Sequence, residues 1–284
     1  MNEIVYVNGA YVARGEAKVS VFDRGFLFAD GVYEVCAVLD GKLVDNSAHL
    51  ERFERSLKEI GMAAPLARAQ IVAMQKELVA RNDVREGLVY MQVTRGAADR
   101  DFAFPADARP TFVAFAQKKQ IIGAPAAESG VAAISTPDIR WMRRDIKSIA
   151  LLAQVLAKQA AREAGAAEAF MVEDGFVTEG SSSTAFIVTQ AGEIVTRPLS
   201  TDLLPGCTRK AVLTLAHERG MPVVERPFTI AEAQGAAECF FTSATAFVMP
   251  VVSLDGRAIG GGAPGPATRR LREIYIETAR DSAH

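Results

Sequence analysis

The chain has 284 residues, 49% hydrophobic and 23% charged, enough for roughly two domains with cores that need no covalent staple. Its 32 Lys+Arg against 34 Asp+Glu leave a net charge of −2, which argues against nucleic acid or an anionic membrane as the main partner. Cys36, Cys207, Cys239 and the histidines His49, His217 and His284 fall at no metal-ligand spacing, so no metal is expected, and three cysteines fit no disulfide framework.

The start, MNEIVYVNGAY, lacks a signal-peptide pattern, and no apolar run reaches membrane-spanning length, so a reduced cytoplasmic protein is expected. In chain order, the alternating run at 5–12 turns at Asn8-Gly9, whose residues tolerate the positive φ of a hairpin turn. Asp40-Gly41 repeats the signal. Residues 47–61 predict a helix opening on a Ser47 cap, with Leu50, Phe53 and Leu57 on one face and Gly61 as its stop. A second helix is predicted at 68–81. After a strand at 111–116 comes QKKQIIGAP, placing a linker at 118–123 between a smaller domain at 1–117 and a larger one at 124–284 that carries Lys147. Residues 149–164 predict a long apolar helix closed by Gly165, and further helices are expected at 207–219 and 266–280. Asp174-Gly175, Ala191-Gly192 and Asp255-Gly256 mark more turns between strands. The run Gly260–Gly265 matches neither G-x-G-x-x-G nor a P-loop and reads as a connector. Hairpins along the whole length exclude a doubly wound parallel sheet. The expected fold is α+β, with two domains, both rich in antiparallel strands with flanking helices.

Three stretches could carry chemistry. Lys147 in Asp145-Ile146-Lys147-Ser148 sits among apolar neighbours. Partial burial, or the cations Arg143 and Arg144, would lower its pKa and expose a nucleophilic amine, whereas a snorkelling surface lysine is the plainer reading. Thr178-Glu179-Gly180-Ser181-Ser182-Ser183 offers a carboxylate and hydroxyls that could hold a charged ring nitrogen, or is a serine-rich connector. Pro205-Gly206-Cys207-Thr208-Arg209 opens a helix whose N–H groups favour a phosphate; Thr242-Ser243-Ala244-Thr245 and Arg52 could add to it. Each is weak alone.

Together with Tyr6-Val7-Asn8-Gly9, Asp23-Arg24-Gly25, Asp30-Gly31-Val32-Tyr33-Glu34-Val35, His49-Leu50-Glu51-Arg52, Thr94-Arg95-Gly96 and Ile139-Arg140-Trp141, these motifs run nearly the length of the chain in one order. In that order they resemble the class IV (fold-type IV) pyridoxal-phosphate aminotransferases, and within them the D-amino-acid enzymes. The resemblance implies that Lys147 forms the Schiff base with pyridoxal 5′-phosphate and then shuttles a proton between Cα and C4′. It implies that Glu179 pairs with the pyridinium nitrogen, and that Arg52, Ser182, Ser183, Cys207, Thr208 and Thr245 hold the cofactor, with Leu204 against the ring. The implied partners are a small D-amino acid and a 2-oxo acid such as 2-oxoglutarate, and the implied assembly is a homodimer.

In D-amino-acid members an Arg-x-His pair after Thr-Arg-Gly traps the substrate carboxylate beside the tyrosine matched by Tyr33. Here Arg100 matches the arginine, while Phe102 stands where the histidine would be, so one polar contact is lost and the pocket becomes more apolar. Thr184 and Arg144 also depart from the family pattern. Branched-chain L-amino-acid aminotransferase, (R)-amine transaminase and aminodeoxychorismate lyase are the rival activities of the same fold. A cofactor-fold binding protein is the rival outside enzymology, and retention of both Lys147 and Glu179 speaks against it.

Overall fold

The computed structural model describes residues 3–284, so the first two residues of the MNEIVYVNGAY start lie outside the described residues. The chain divides into two compact units. The first contains the residues up to Gln120 with Ile146–Ala150 and Ser282–His284, and the second contains Ile121–Asp145 and Leu151–Asp281.

In the first unit, β1 (Ile4–Val7), β2 (Ala10–Ala13), β3 (Gly31–Leu39), β4 (Lys42–Leu43), β5 (Glu86–Thr94) and β6 (Thr111–Lys118) form an antiparallel sheet in the order β2-β1-β6-β5-β3-β4. The turns behave as their residues dictate: Asn8 and Gly9 take φ of 50° and 97°, and Asp40 and Gly41 take 51° and 77°. Helices α1 (Arg24–Phe28), α2 (Asn46–Glu59) and α3 (Arg68–Arg81) complete the unit. Leu50, Phe53 and Leu57 of α2 bury with Ile71, Met74 and Leu78 of α3 against Val32, Cys36 and Val38 of β3. Strand periodicity puts Glu34 on that same buried face and Tyr33 on the other.

Two local expectations are corrected here. Helix α2 begins at Asn46 after Asp45 in the left-handed region (φ 52°), so Ser47 is inside the helix, and its hydroxyl donates to Glu51 instead of capping. The apolar run from 149 does not start a helix there. Tyr33 N–H donates to the Lys147 carbonyl (3.0 Å) and Ile149 N–H to the Gly31 carbonyl (3.1 Å), so the segment lies along β3 as an extended strip.

The second unit contains α4 (Pro125–Ser129), β7 (Val131–Pro137), α5 (Leu152–Glu163), β8 (Glu168–Glu173), β9 (Phe176–Gly180), β10 (Thr184–Val188), β11 (Ile194–Thr196), α6 (Cys207–Glu218), β12 (Val223–Glu225), α7 (Ile230–Gln234), β13 (Glu238–Ser243), β14 (Phe247–Leu254), β15 (Arg257–Ala258) and α8 (Pro266–Ser282). Its sheet runs β12-β11-β10-β13-β14-β7-β8-β9, with β15 on β14. Most pairs are antiparallel, but β14–β7, β7–β8 and β11–β12 are parallel. Asp174-Gly175 and Asp255-Gly256 again form left-handed turns. Helix α5 buries only Ala157 and Ala161, while Leu152, Val155 and Leu156 are exposed, so its apolar sequence is not a core signal within this unit. Among the described residues, no helix is long and apolar enough to cross a membrane.

Candidate active site

On the first unit, the strip beside β3 presents Lys147. Its main-chain N–H donates to Ser56 Oγ (3.2 Å), and its Nζ stands 4.2 Å from the centroid of the Tyr33 ring. Nζ has no hydrogen-bond or ion-pair partner among the described residues, so it is an amine held against an aromatic face and open to reaction. Tyr33 is itself fixed by stacking on Tyr90 (5.6 Å), which stacks on Phe115 (4.9 Å).

Beneath them lies a buried ion cluster. His49 and Arg52, three residues apart on α2, share one helix face and both reach Glu34 on β3. Arg52 donates from Nε (2.7 Å) and Nη2 (2.9 Å), and His49 Nδ1 is 2.8 Å from the same carboxylate. Burial acts to raise Glu34, but the Arg52 charge and the hydrogen bonds from His49 and Arg52 more than reverse it, holding the carboxyl well below the usual range. Arg52, expected at a phosphate, is therefore engaged by Glu34 on two of its nitrogens. Arg100 is exposed, its guanidinium lying against the rings of Phe28 (5.3 Å) and Phe102 (5.6 Å).

On the second unit, Glu179 ends β9 and is buried. It accepts from Arg140 Nη1 and from the Leu204 N–H (3.2 Å). Arg140 is aimed by Asp138, to which it donates from Nε (2.9 Å) and Nη2 (2.7 Å), and Asp138 also accepts from the Thr178 hydroxyl (2.6 Å). Arg144 lies 3.4 Å from Asp138 and forks onto Glu173 at 2.7 and 2.6 Å. Arg143 is likewise paired, with Asp145. Neither cation that the sequence set beside Lys147 is thus unneutralised.

The sharing of Arg140 matters. The buried side chains of Asp138 and Glu179 both rest on that one guanidinium, while Arg144 goes mainly to the more exposed Glu173, which the Arg197 charge also reaches. Burial pushes Glu179 up from its ordinary value, with Arg140 and the Leu204 N–H opposing. Asp138 goes the other way, because its hydrogen bonds and charge contact with Arg140 outweigh burial.

The serine run divides its duties. Ser181 and Ser183 donate to the buried Glu168, Ser183 at 2.9 Å, while Ser182 is exposed. Helix α6 starts at Gly206 without a side-chain cap, and Cys207 and Thr208 of its first turn are buried. A Cβ on Gly206 would meet Thr184 Oγ1 at 2.9 Å, so the backbone there approaches the β10 hydroxyl as only glycine allows. Thr184 pairs across the ladder with Thr242, whose buried hydroxyl has no hydrogen-bond partner. Thr245 sits half-buried in the β13–β14 turn.

Each unit thus offers a distinct chemistry: a free amine over an aromatic ring on one, and on the other a buried carboxylate that shares its arginine plus an uncapped helix start near an unsatisfied hydroxyl. Asp138, Arg140, Glu34 and Glu168 were not singled out from sequence. Arg140 stood in the Ile139-Arg140-Trp141 motif without a role, and its two-residue spacing from Asp138 was the signal available.

The family described as amino-transferase class IV matches residues 31–254. The D-alanine aminotransferase of Bacillus licheniformis is 42% identical over 97% of this chain and 99% of its own length. That of Staphylococcus aureus (strain N315) is 40% identical over 97% and 99%. Among solved structures, the T.th. branched-chain amino acid aminotransferase complexed with N-(5′-phosphopyridoxyl)-L-glutamate superposes with a TM-score of 0.90 at 29% identity, covering 99% of this chain and 95% of that one. The Escherichia coli branched-chain enzyme gives a TM-score of 0.92 at 23% identity, covering 98% and 95%, a likeness of fold alone.

Proposed function

The chain belongs to the class IV aminotransferases, and from that premise we propose that it transaminates D-amino acids with a 2-oxo acid through pyridoxal 5′-phosphate, with Lys147 as the Schiff-base lysine and Glu179 as the carboxylate for the ring nitrogen. The observation that carries the residue assignment is that buried Glu179 shares Arg140 with Asp138. A buried carboxylate supported by one guanidinium nitrogen and a main-chain N–H is suited to a protonated ring nitrogen. The remaining donors fit the cofactor as well. The amine of Lys147 suits its aldehyde, and the uncapped start of α6 with Thr208, Thr184 and the orphaned Thr242 hydroxyl suits a phosphate dianion.

When bound, pyridoxal phosphate supplies the carbonyl that condenses with amines and the ring that accepts the electron pair left when Cα loses its proton. Lys147 Nζ, held over Tyr33, is the base that takes that proton from Cα and returns it on the other side of the exchange. Glu179, whose charge Arg140 and the Leu204 N–H support against burial, would hold a proton on the ring nitrogen by charge. Tyr33 walls the reacting face, and Arg100, with no hydrogen-bond or ion-pair partner of its own among the described residues, grips the substrate carboxylate.

The exposed rings of Phe26, Phe102 and Phe104 and the exposed Met142, Leu152 and Val155 support a homodimer as the working form. The buried thiols Cys36, Cys207 and Cys239 suit the reducing cytoplasm.

The test is a half-reaction followed by absorbance. Yellow holoenzyme is mixed in parallel with D-alanine, L-alanine, D-leucine and L-leucine. Bleaching by the D-isomers alone is expected. Bleaching by L-leucine alone would overturn the D-amino-acid reading in favour of branched-chain transamination, and a yellow protein indifferent to all four would point to lyase or amine chemistry.

A further inference from the structure

Arg100 gains its position from a loop, residues 97–110, that has no regular secondary structure beyond a single bridge from Asp23 to Ala97. An exposed loop of that kind normally wanders, yet this one is tied to an ionic hub on the buried side. Asp30, just before β3, has a side chain only 12% exposed and accepts from two arginines that are themselves buried. Arg24 donates from Nε (2.8 Å) and Arg95 from Nε (2.8 Å) and Nη2 (3.0 Å).

Both arginines then spend their remaining groups on the loop and its frame. Arg24 donates from Nη1 to the Asp101 carbonyl (2.5 Å) and from Nη2 to the Phe102 carbonyl (3.3 Å), and it lies over the Phe28 ring at 4.8 Å. Arg95 donates to the Ile60 carbonyl (2.7 Å) and lies 3.6 Å over the centroid of the Phe104 ring. Phe28 and Phe102 pack together at 5.3 Å, and these are the two rings against which Arg100 rests. The path from Asp30 to the Arg100 guanidinium is therefore a continuous set of contacts. Each cation in it is planar and held by forked or stacked geometry that a lysine could not reproduce.

We propose that Asp30 is a positioning residue for substrate recognition: through Arg24 and Arg95 it fixes the 97–110 loop and presents the Arg100 guanidinium, with its N–H groups unspent, to the carboxylate of the amino acid. The proposal rests on the reading of Arg100 as the carboxylate-binding residue. Its consequence is selective. Loss of the hub loosens a binding arginine while leaving Lys147 and Glu179 untouched, so it acts on KM and not on the proton transfer.

The experiment uses holoenzyme with Asp30→Asn. The expected result is an apparent KM for D-alanine raised about tenfold, kcat within about threefold of wild type, and unchanged affinity for pyridoxal phosphate by titration of the yellow band. A fall in kcat with KM unchanged, or no change in either, overturns the proposal. Should Asp30→Asn fail to fold, Phe104→Leu removes only the exposed ring under Arg95 and is expected to show the same split at about threefold in KM. In both variants, trypsin should cut after Arg100 several times faster than in wild type, with the cutting rate elsewhere unchanged. Equal cutting at Arg100 overturns the proposal even if wild-type enzyme ignores D-alanine, an outcome that would sink the D-amino-acid reading separately.

Discussion

Arg140→Met tests the electrostatics of the candidate site most directly. Glu179 is buried, and its charge is sustained by Arg140 and one main-chain N–H. Removing one partner of a buried pair costs about 3–5 kcal/mol, and because the Leu204 N–H remains, the lower end applies here. Without Arg140, burial is opposed by the Leu204 N–H alone, so the Glu179 pKa moves further up. A larger share of the carboxyl then carries its own proton, and on the proposed role of Glu179 at the ring nitrogen about 3 kcal/mol corresponds to a fall in kcat of roughly 100-fold. The sign of the pH effect separates this from a folding defect. Ionisation returns as pH rises, so the deficit should shrink with rising pH in steady-state assays with D-alanine. Stability moves the other way. Burial already raises Glu179 in wild type, so the two proteins lose stability together above the ordinary Glu value, and the variant falls further behind once pH passes the wild-type folded value, where it alone still holds the proton. A loss below about tenfold, or one equal at every pH with no change in melting temperature, refutes the reasoning.

Other substitutions carry their own signs. Glu34→Gln takes from the buried Arg52 and His49 the carboxylate they share and should lower apoenzyme stability at pH 7 by about 3 kcal/mol in urea unfolding. Glu34 is held low in the folded state, so its stabilisation is present above about 4.3 and lost as pH falls toward the depressed value. The gap from wild type should therefore narrow in acid, and a gap constant with pH counts against the assignment. Thr242→Val removes a buried hydroxyl that no group satisfies and should raise the apoenzyme unfolding free energy by about 1 kcal/mol; a lower midpoint would show that the hydroxyl has a partner. Phe102→His restores a donor beside Arg100 and should raise kcat/KM for D-alanine relative to D-leucine about fivefold, read from competing half-reactions. An unchanged ratio would mean that position 102 does not face the carboxylate.

What the sequence made legible was local. The Asn8-Gly9, Asp40-Gly41, Asp174-Gly175 and Asp255-Gly256 turns form where they were expected, because left-handed φ is a property of those residues alone. Helix α3 matches its predicted span of 68–81, and its buried Ile71, Met74, Gln75, Leu78 and Val79 fall at helical spacing. The helix expected at 149–164 starts late, at Leu152. Its apolar run is helical in period, but the pairing of Ile149 and Lys147 with Gly31 and Tyr33, more than a hundred residues earlier, holds its first residues extended. The ionic neighbours of the site were hidden in the same way. His49 and Arg52 display their shared helix face, yet nothing local says that Glu34 on β3 lies opposite them. Asp138 with Arg140, and Arg143 with Asp145, stand two residues apart and are the pairs that spacing alone suggests.

The arginine-paired carboxylates Glu34, Asp30 and Glu179 differ in a way that bears on function. Glu34 has Arg52 forked onto it and His49 beside it, and Asp30 has two arginines, so for both the surrounding cations outweigh burial. Glu179 must share its arginine: Arg140 gives two of its nitrogens to Asp138 and the remaining one to Glu179. Burial therefore wins at Glu179 alone. Arg144, where the family pattern has an uncharged residue, does not pair with Glu179, because that guanidinium forks onto Glu173 and lies 3.4 Å from the Asp138 Oδ2 that also accepts from Arg140. Glu179 is thus firm in geometry and, of the three, the one left least compensated. A cationic ligand placed there stabilises itself and the ionised Glu179 together. Cofactor affinity should accordingly strengthen when that carboxylate is ionised and the ring nitrogen protonated at once, which gives binding a pH optimum that the Arg140→Met variant should shift upward.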